Sequence, residues 1–390
     1  MAAPSRTASS VIVNPPFRAD IVGSFLRPAA IKQAREKFLG PQTPDQHLGP
    51  HDSADLRAVE DHCIQDVIAM QERIGLKAAT DGEFRRRSWW MDLIMSWGGF
   101  AADRVGATEM RWQSAQGPTQ GSSQLTLTSR IQWRPSATIR AFEFLKANTR
   151  LTPKVTIPAP DIAHMMLGGD KRIAASAYRD VDAFWADLVD AYRKDIAALI
   201  AAGARYIQLD DTCFAMLCDP ALRKTFESWG KPAAVLIEEY ARRINEVVAG
   251  HPADVTFTLH QCRGNREGQW MASGGYDPVA DVMFNTVNVR GFFLEYDTAR
   301  AGGFEPLRLL PKGKYVVLGL VSTKTPTLES ADALKRRIDD AAKNAPLEQL
   351  CLSPQCGFAS SIRGNPVTEA DQEAKLRRIV EVAYAVWGSA

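Results

Sequence analysis

Three short segments in the last third of the chain hold the residue types from which chemistry can be built. They are His260-Gln261-Cys262, Glu295 in Phe292-Phe293-Leu294-Glu295-Tyr296, and Cys356 in Ser353-Pro354-Gln355-Cys356-Gly357. Each follows a run of β-type apolar residues. One imidazole, two thiols and one carboxylate are therefore offered from three strand ends. That donor set suits four-coordinate zinc, and two thiolates select zinc over magnesium or calcium. His260 and Cys262 lie two apart, and residues i and i+2 of a strand share a face, so both reach one ion. Asp297 is a rival carboxylate, but it lies further toward solvent, and Glu295 is preferred as the fourth ligand. Thiolates donate charge and leave the metal a poor Lewis acid. Such a centre suits a substrate thiol: a free thiol titrates near ~8.5, and coordination deprotonates it at neutral pH. The sulfur then attacks an alkyl carbon, with Glu295 as the bond that the incoming thiol weakens or replaces.

These residues need elements to position them. Eight strand candidates are separated by helical patterns: Ala19–Ser24, Ala78–Glu83, Lys154–Pro158, Tyr206–Asp210, Val255–Cys262, Gly291–Glu295, Tyr315–Leu320 and Gln349–Ser353. Apolar residues at three- and four-residue spacing predict helices over Asp55–Ile74, Val181–Ala202, Ala233–Val248, Ser330–Asn344 and Thr368–Val386. The alternation predicts an α/β fold, a (β/α)8 TIM barrel. Thr327-Leu328-Glu329-Ser330 and Thr368-Glu369-Ala370-Asp371 read as helix-start caps. Barrel active sites lie at the C-terminal strand ends, and almost every end here is polar or metal-binding. Residues 1–16 read as a flexible extension, and residues 17–390 as one barrel. About residues 98–135 the alternation breaks into a Gly-, Ser-, Thr- and Gln-rich stretch, and Gln124–Trp133 alternates polar with apolar residues. This predicts a β-hairpin excursion between strands two and three, either covering the barrel mouth or making a homo-oligomer contact.

Composition narrows the class. The 390 residues are 45% hydrophobic and 24% charged with a net charge of +2, so no nucleic-acid surface is expected. No apolar run approaches the ~18 residues of a membrane span. Met1–Asn14 has no long apolar core, so a signal peptide is not expected and the predicted location is the cytoplasm. The six cysteines are then expected to be reduced or metal-bound. Cys63 and Cys351 read as small core residues; Cys213 and Cys218 follow a strand end.

Glu83 and Asp210 end strands two and four, and paired carboxylates there fit a substrate ammonium or, alternatively, salt bridges to Arg85 or Arg263. Arg85-Arg86-Arg87 either grips an oxyanion or forms a solvated charge run. Trp89, Trp90 and Trp97 either line a donor pocket or pack helices. His164 reads as structural.

Taken in order, Ile21-Val22-Gly23-Ser24, Asp81-Gly82-Glu83-Phe84-Arg85, Gln208-Leu209-Asp210, His260-Gln261-Cys262-Arg263-Gly264-Asn265, Phe293-Leu294-Glu295-Tyr296 and Pro354-Gln355-Cys356-Gly357 resemble the cobalamin-independent methionine synthase family. The likeness is to its C-terminal catalytic barrel, and most of all to the short single-barrel members. It implies a zinc-dependent barrel that methylates homocysteine. It also implies His260, Cys262, Glu295 and Cys356 as zinc ligands, and Ser24, Glu83 and Asp210 as the residues holding the amino-acid end of the thiol. Two features depart from the full-length members. There is no second, N-terminal barrel, and the third-strand segment Thr156-Ile157-Pro158-Ala159-Pro160-Asp161 lacks the tryptophan on which a folate stacks. Methylcobalamin, free or on a corrinoid protein, is then a possible donor. The epoxyalkane:coenzyme M transferases, which resemble this family and use a His-x-Cys…Cys zinc site, supply the alternative reading.

Overall fold

The computed structural model describes residues 14–41, 49–103, 112–114, 117–118 and 124–390. Residues 1–13 of the expected extension, and residues 104–111, 115–116 and 119–123 of the excursion, lie outside the described residues.

The strands in chain order are β1 (Ala78–Ala79), β2 (Gly98–Asp103), β3 (Gln124–Gln132), β4 (Thr152–Pro158), β5 (Tyr206–Asp211), β6 (Thr256–Gln261), β7 (Gly291–Glu295), β8 (Tyr315–Val321) and β9 (Leu350–Pro354). Seven of them form one parallel sheet in the order β1-β4-β5-β6-β7-β8-β9. β2 and β3 form a separate antiparallel hairpin, the expected excursion. Helices fill the connections, among them Ala54–Ile74, Val181–Ala202, Ala233–Val248, Ala331–Ala341 and Glu369–Trp387. These match the expected helices to within three residues at either end. Thr368 and Asp371 form the expected capping box. For the helix before it, the cap is Ser330, whose hydroxyl accepts from Ala333 N, rather than Thr327.

Among the described residues the sheet has seven strands where eight were expected. Ala78–Glu83 is reduced to two residues because Asp81–Phe84 turns, with Glu83 at a φ of +59°. Ala19–Ser24 pairs only through Ala19 with Leu352 of β9. Side chains take the ladder's place there: Gln208 donates to Val22 O at 2.7 Å, Thr80 Oγ1 to Gly23 O at 2.6 Å, and Lys154 Nζ to Ile21 O. The segment still spans the space between the two outer strands. Asp20 N donates to Leu352 O at 3.0 Å, and Phe25 N donates to Gly82 O, just past β1, at 3.0 Å.

Alternation along the strands sorts two cores, because successive side chains point to opposite faces. Tyr206, Phe293, Val317 and Cys351 cluster on one face with Val22 and Ala78. Ile207, Leu209, Leu259, Phe292, Leu294, Val316, Leu318 and Leu352 face the helices. A parallel sheet covered on both faces accounts for the continuous burial of β5, β7 and β9. Within the first cluster lies a fully buried ion pair, Lys154 Nζ to Asp20 Oδ1 at 3.2 Å, with Tyr206 OH donating to Asp20 at 2.8 Å.

Candidate metal and substrate site

The register places the first ligand pair. Asp210 of β5 sits opposite His260 of β6, so the two side chains share a face at the same level. β6 ends at Gln261, and the next residue, Cys262, still donates its N–H to Asp211 O at 3.2 Å. On the far side, β9 ends at Pro354 and the chain turns through Gln355–Gly357, tied by Gln355 N to Val321 O at 2.8 Å. A Cβ on Gly357 would fall 1.9 Å from Ser24 Oγ, so any larger residue there would force Ser24 to shift.

The result is a cluster of donors from distant parts of the chain. Cys262 Sγ and Cys356 Sγ are 3.4 Å apart. One ligand atom each from His260, Cys262 and Cys356 lie within 4.8 Å of one another, and all three residues are buried. His260 Nδ1 sits 3.2 Å from Phe293 O, to which it can donate, while Nε2 is buried with no hydrogen-bond partner among the described residues. A metal-ligating histidine shows this arrangement: one nitrogen is oriented by a carbonyl, the other keeps its lone pair for the ion. The donor set is soft and the histidine is preset, so these residues fit a zinc ion. Burial disfavours a charged His260 ring, yet Cys262 and Asp210 outweigh burial and raise its pKa. The hydrogen bond with Cys356, then burial, push the Cys262 thiol well up.

Glu295 does not join the cluster. Its Oε2 accepts from Arg263 N at 2.7 Å, and its Oε1 accepts from Arg300 at 3.1 Å and Lys324 at 3.3 Å. Burial alone would raise its pKa; Lys324, Arg263 and Arg300 hold it down at about 2.

Above the donors opens a cavity of about 220 Å³. Glu83, Asp210 and Ser24 line it together with His260, Cys262 and Cys356, so the structure brings the expected substrate residues to the expected metal residues. Glu83 Oε1 accepts from Thr156 Oγ1 at 2.8 Å and lies 3.6 Å from Arg86; its Oε2 is buried without a partner among the described residues. Its left-handed backbone is a strained state, common at functional positions. Burial lifts the Asp210 pKa to about 7, against the pull of His260. Met165, Met166, Met271, Trp89, Trp90 and Trp112 also line the cavity, with Arg87, Arg266 and Arg363 on its wall.

A model of the cobalamin-independent synthase catalytic domain matches residues 17–385. The chain belongs to the cobalamin-independent methionine synthase family. The uncharacterized Bacillus subtilis protein YxjG is 40% identical over 380 residues, covering 96% of this chain and 95% of its own. The crystal structure of a Listeria monocytogenes protein assigned as a vitamin-B12 independent methionine synthase is 34% identical, with a TM-score of 0.73 over 96% of this chain and 99% of its own. A B12-independent methionine synthase from Shewanella, solved with selenomethionine, shares the fold at a TM-score of 0.70 and 18% identity, over 95% of this chain and 97% of its own. Membership in the methionine synthase family supports methyltransferase activity in general. No helix among the described residues is long and apolar enough to cross a membrane.

Against the family background, the remaining polar residues sort themselves. Arg85 pairs with Glu60 and Asp61, away from the donors, and Arg86 braces Thr156 and Glu83. Of the three arginines only Arg87 lines the cavity. His164 is buried between Tyr240, Asp170 and Trp185, a packing role. Trp97 packs edge-on against Tyr192, whereas Trp89 and Trp90 line the cavity. Trp112 lines it too, and Gln113 pairs with Trp270, so these described residues of the excursion border the cavity.

Sequence reasoning missed Lys324, Arg300 and Thr156. Lys324 lies three residues beyond β8, in the same strand-end zone as Ser322, and that position was its only signal. It also missed a second buried group, Asp161, Asp211 and Cys213. Burial and the neighbouring Asp211 raise Asp161 well above the ordinary carboxylate range. Cys213 N and Gln261 hold Asp211 in place.

Proposed function

We propose that this chain is a zinc-dependent methyltransferase that methylates the thiol of homocysteine, or of a close analogue, to form methionine or its counterpart. The observation that carries this reading is the gathering of His260, Cys262 and Cys356 at one end of a cavity whose wall also holds Glu83 and Asp210. We read residues 18–25, pinned between β9 and the turn after β1, as the eighth stave of a (β/α)8 barrel.

In this proposal His260 Nε2, Cys262 Sγ and Cys356 Sγ hold the zinc. When bound, zinc lowers the pKa of a substrate thiol so that the nucleophile exists at neutral pH. Glu83 Oε2 and Asp210 accept the substrate ammonium, and Ser24 sits near its carboxylate. Thr156 and Arg86 keep Glu83 aimed into the cavity. These contacts orient the thiol in the cavity, where the methyl carbon must approach in line with sulfur. No protein nucleophile is required. Met165, Met166, Met271 and the tryptophans exclude water from the approach, and Arg87, Arg266 and Arg363 offer charge to an anionic donor. Methylcobalamin, free or on a corrinoid protein, is proposed beside a methylfolate because Thr156–Asp161 offers no tryptophan for stacking. The paired carboxylates argue against coenzyme M, which has no ammonium and whose sulfonate they would repel.

The test is a matrix of thiols and methyl donors on zinc-loaded protein, read by product mass. Methionine from homocysteine is expected. Alkylation of coenzyme M with no product from homocysteine would overturn the proposal.

A further inference from the structure

Methyl transfer leaves Asp161, Asp211 and Cys213 without a task. Asp161 is the second residue of the helix Pro160–Leu167, Asp211 is the last of β5, and Cys213 opens the short helix Cys213–Leu217. All three are completely buried. The register separates them from the first donor cluster. Asp210 pairs with His260 and Asp211 with Gln261, and adjacent residues of a strand point to opposite faces. One oxygen from each aspartate and Cys213 Sγ nevertheless lie within 4.8 Å of one another.

Both Asp161 oxygens are buried with no hydrogen-bond partner among the described residues. Asp211 is held in place: it accepts from Cys213 N at 2.6 Å and from the Gln261 amide, whose oxygen accepts from Ala215 N at 3.2 Å. Among the described residues, no lysine, arginine or histidine forms an ion pair with either carboxylate. Buried charges are paired or coordinate metals; otherwise the group takes up a proton. Two carboxylates and a thiol form a donor set of mixed softness. It suits zinc, ferrous iron or cobalt better than calcium, which takes six or more oxygens. Bonds of roughly 2.0–2.3 Å draw the donors of one ion to within about 4.5 Å, near the spacing already present. A ligating carboxylate that is itself hydrogen-bonded, as Asp211 is, belongs to such sites. Asp211, Thr212 and Met165 also line the cavity, which gives an ion a way in.

We propose that Asp161, Asp211 and Cys213 form a second metal site, for a divalent transition-metal ion that ties the helix after β4 to the end of β5. The site stands whether or not the first cluster holds zinc. Its ion braces the strand ends that carry Asp210 and His260, the chain neighbours of Asp211 and Gln261. Carboxylates replace softer donors here, so this ion is held less tightly than one on the first cluster, and dialysis removes it first.

The test uses the full chain as Cys262→Ser/Cys356→Ser, which silences the first cluster. Titration with cobalt(II) should fill one site and give sulfur-to-cobalt absorption from Cys213. The melting temperature should rise with cobalt concentration, because an ion that binds only the folded chain stabilises it. Adding Cys213→Ser should abolish the absorption. Adding Asp161→Asn should abolish the metal-dependent rise. Asp161→Asn keeps the shape, and its amide can donate to Asp211, so the fold should survive, as circular dichroism will show. If it does not, the Cys213→Ser absorption still decides. Without the serine changes, zinc uptake before dialysis should differ by one ion between wild type and Asp161→Asn. No absorption and no rise in the double-serine protein would mean that the two acids share a proton, and would overturn the proposal. Absorption that survives Cys213→Ser would overturn it too. Zinc on the first cluster with no cobalt on the second removes this inference alone; cobalt on the second with no zinc on the first removes only the metal reading of the first.

Discussion

Cys262 Sγ and Cys356 Sγ lie 3.4 Å apart although 94 residues separate them in the chain. Two fully reduced thiols that close, with the unpartnered His260 Nε2 beside them, make a pair that a metal would bridge. Cys262→Ser and Cys356→Ser should each lose most of the zinc, by more than the roughly 10–100-fold of an outer-shell change. Cys63→Ser and Cys351→Ser, which alter buried cysteines elsewhere, should retain it. Metal content after dialysis, by mass spectrometry, decides the point. Full retention in both ligand variants would sink the metal site.

Glu83 Oε2 has no partner among the described residues, so its partner is expected to be the substrate. Glu83→Gln keeps the shape and loses the charge. A hydrogen bond to a charged group contributes about 1.5–3 kcal/mol. The Kd for homocysteine should therefore rise roughly ten- to hundredfold by calorimetry, while zinc content stays level. An unchanged Kd would mean that the ammonium binds elsewhere.

Much of this was legible in the sequence, for physical reasons. His260, Cys262 and Cys356 are short side chains at strand ends, and period-two alternation alone fixes where such side chains point. Glu83 and Asp210 were legible on the same ground. The ion pairs of Glu295 were not, because a carboxylate chooses among cations that the sequence does not place: Arg300 arrives from a short 3₁₀ turn, and Lys324 from the loop after β8. The first strand was misjudged because Gln208, Thr80 and Lys154 donate to its carbonyls, and no local pattern announces side chains from three other segments.

Asp210 carries a pH dependence whose sign can be worked out. Its folded pKa of about 7 lies above the usual aspartate value, first because it is buried. Only the ionised form attracts an ammonium, so methionine, a probe with no thiol to titrate, should bind more tightly as pH rises from about 6 to 8. For stability the sign reverses. A raised carboxyl pKa contributes stability that is present below the unfolded value of about 3.9 and lost as pH rises through about 7. Asp210→Asn should then flatten the binding profile and raise the melting temperature more at pH 8 than at pH 4. An unaltered profile in Asp210→Asn would assign the dependence to another group.

Lys154 and Asp20 pair deep in the inner core, and only one of them is needed to create a problem. Lys154→Met leaves the Asp20 carboxylate without its cation. Breaking a buried pair in this way costs about 3–5 kcal/mol, whereas removing both charges is far milder. Urea unfolding should show a loss of that order for Lys154→Met and substantial recovery in Asp20→Asn/Lys154→Met. Equal losses in the two proteins would mean that packing, and not charge, sets the stability there.

The last prediction concerns the step itself. A thiol that enters as a thiolate must leave its proton behind. Homocysteine binding to zinc-loaded protein should therefore release about one proton at neutral pH, seen by calorimetry in buffers of different ionisation enthalpy. X-ray absorption at the zinc edge should show two sulfur neighbours before the thiol and three after. The two cysteines account for the first number, and the third is expected from the substrate thiol, since the other four cysteines are buried outside this donor group. An unchanged sulfur count in wild type, with turnover intact, would leave the metal a structural role and move the nucleophile's activation to some other group.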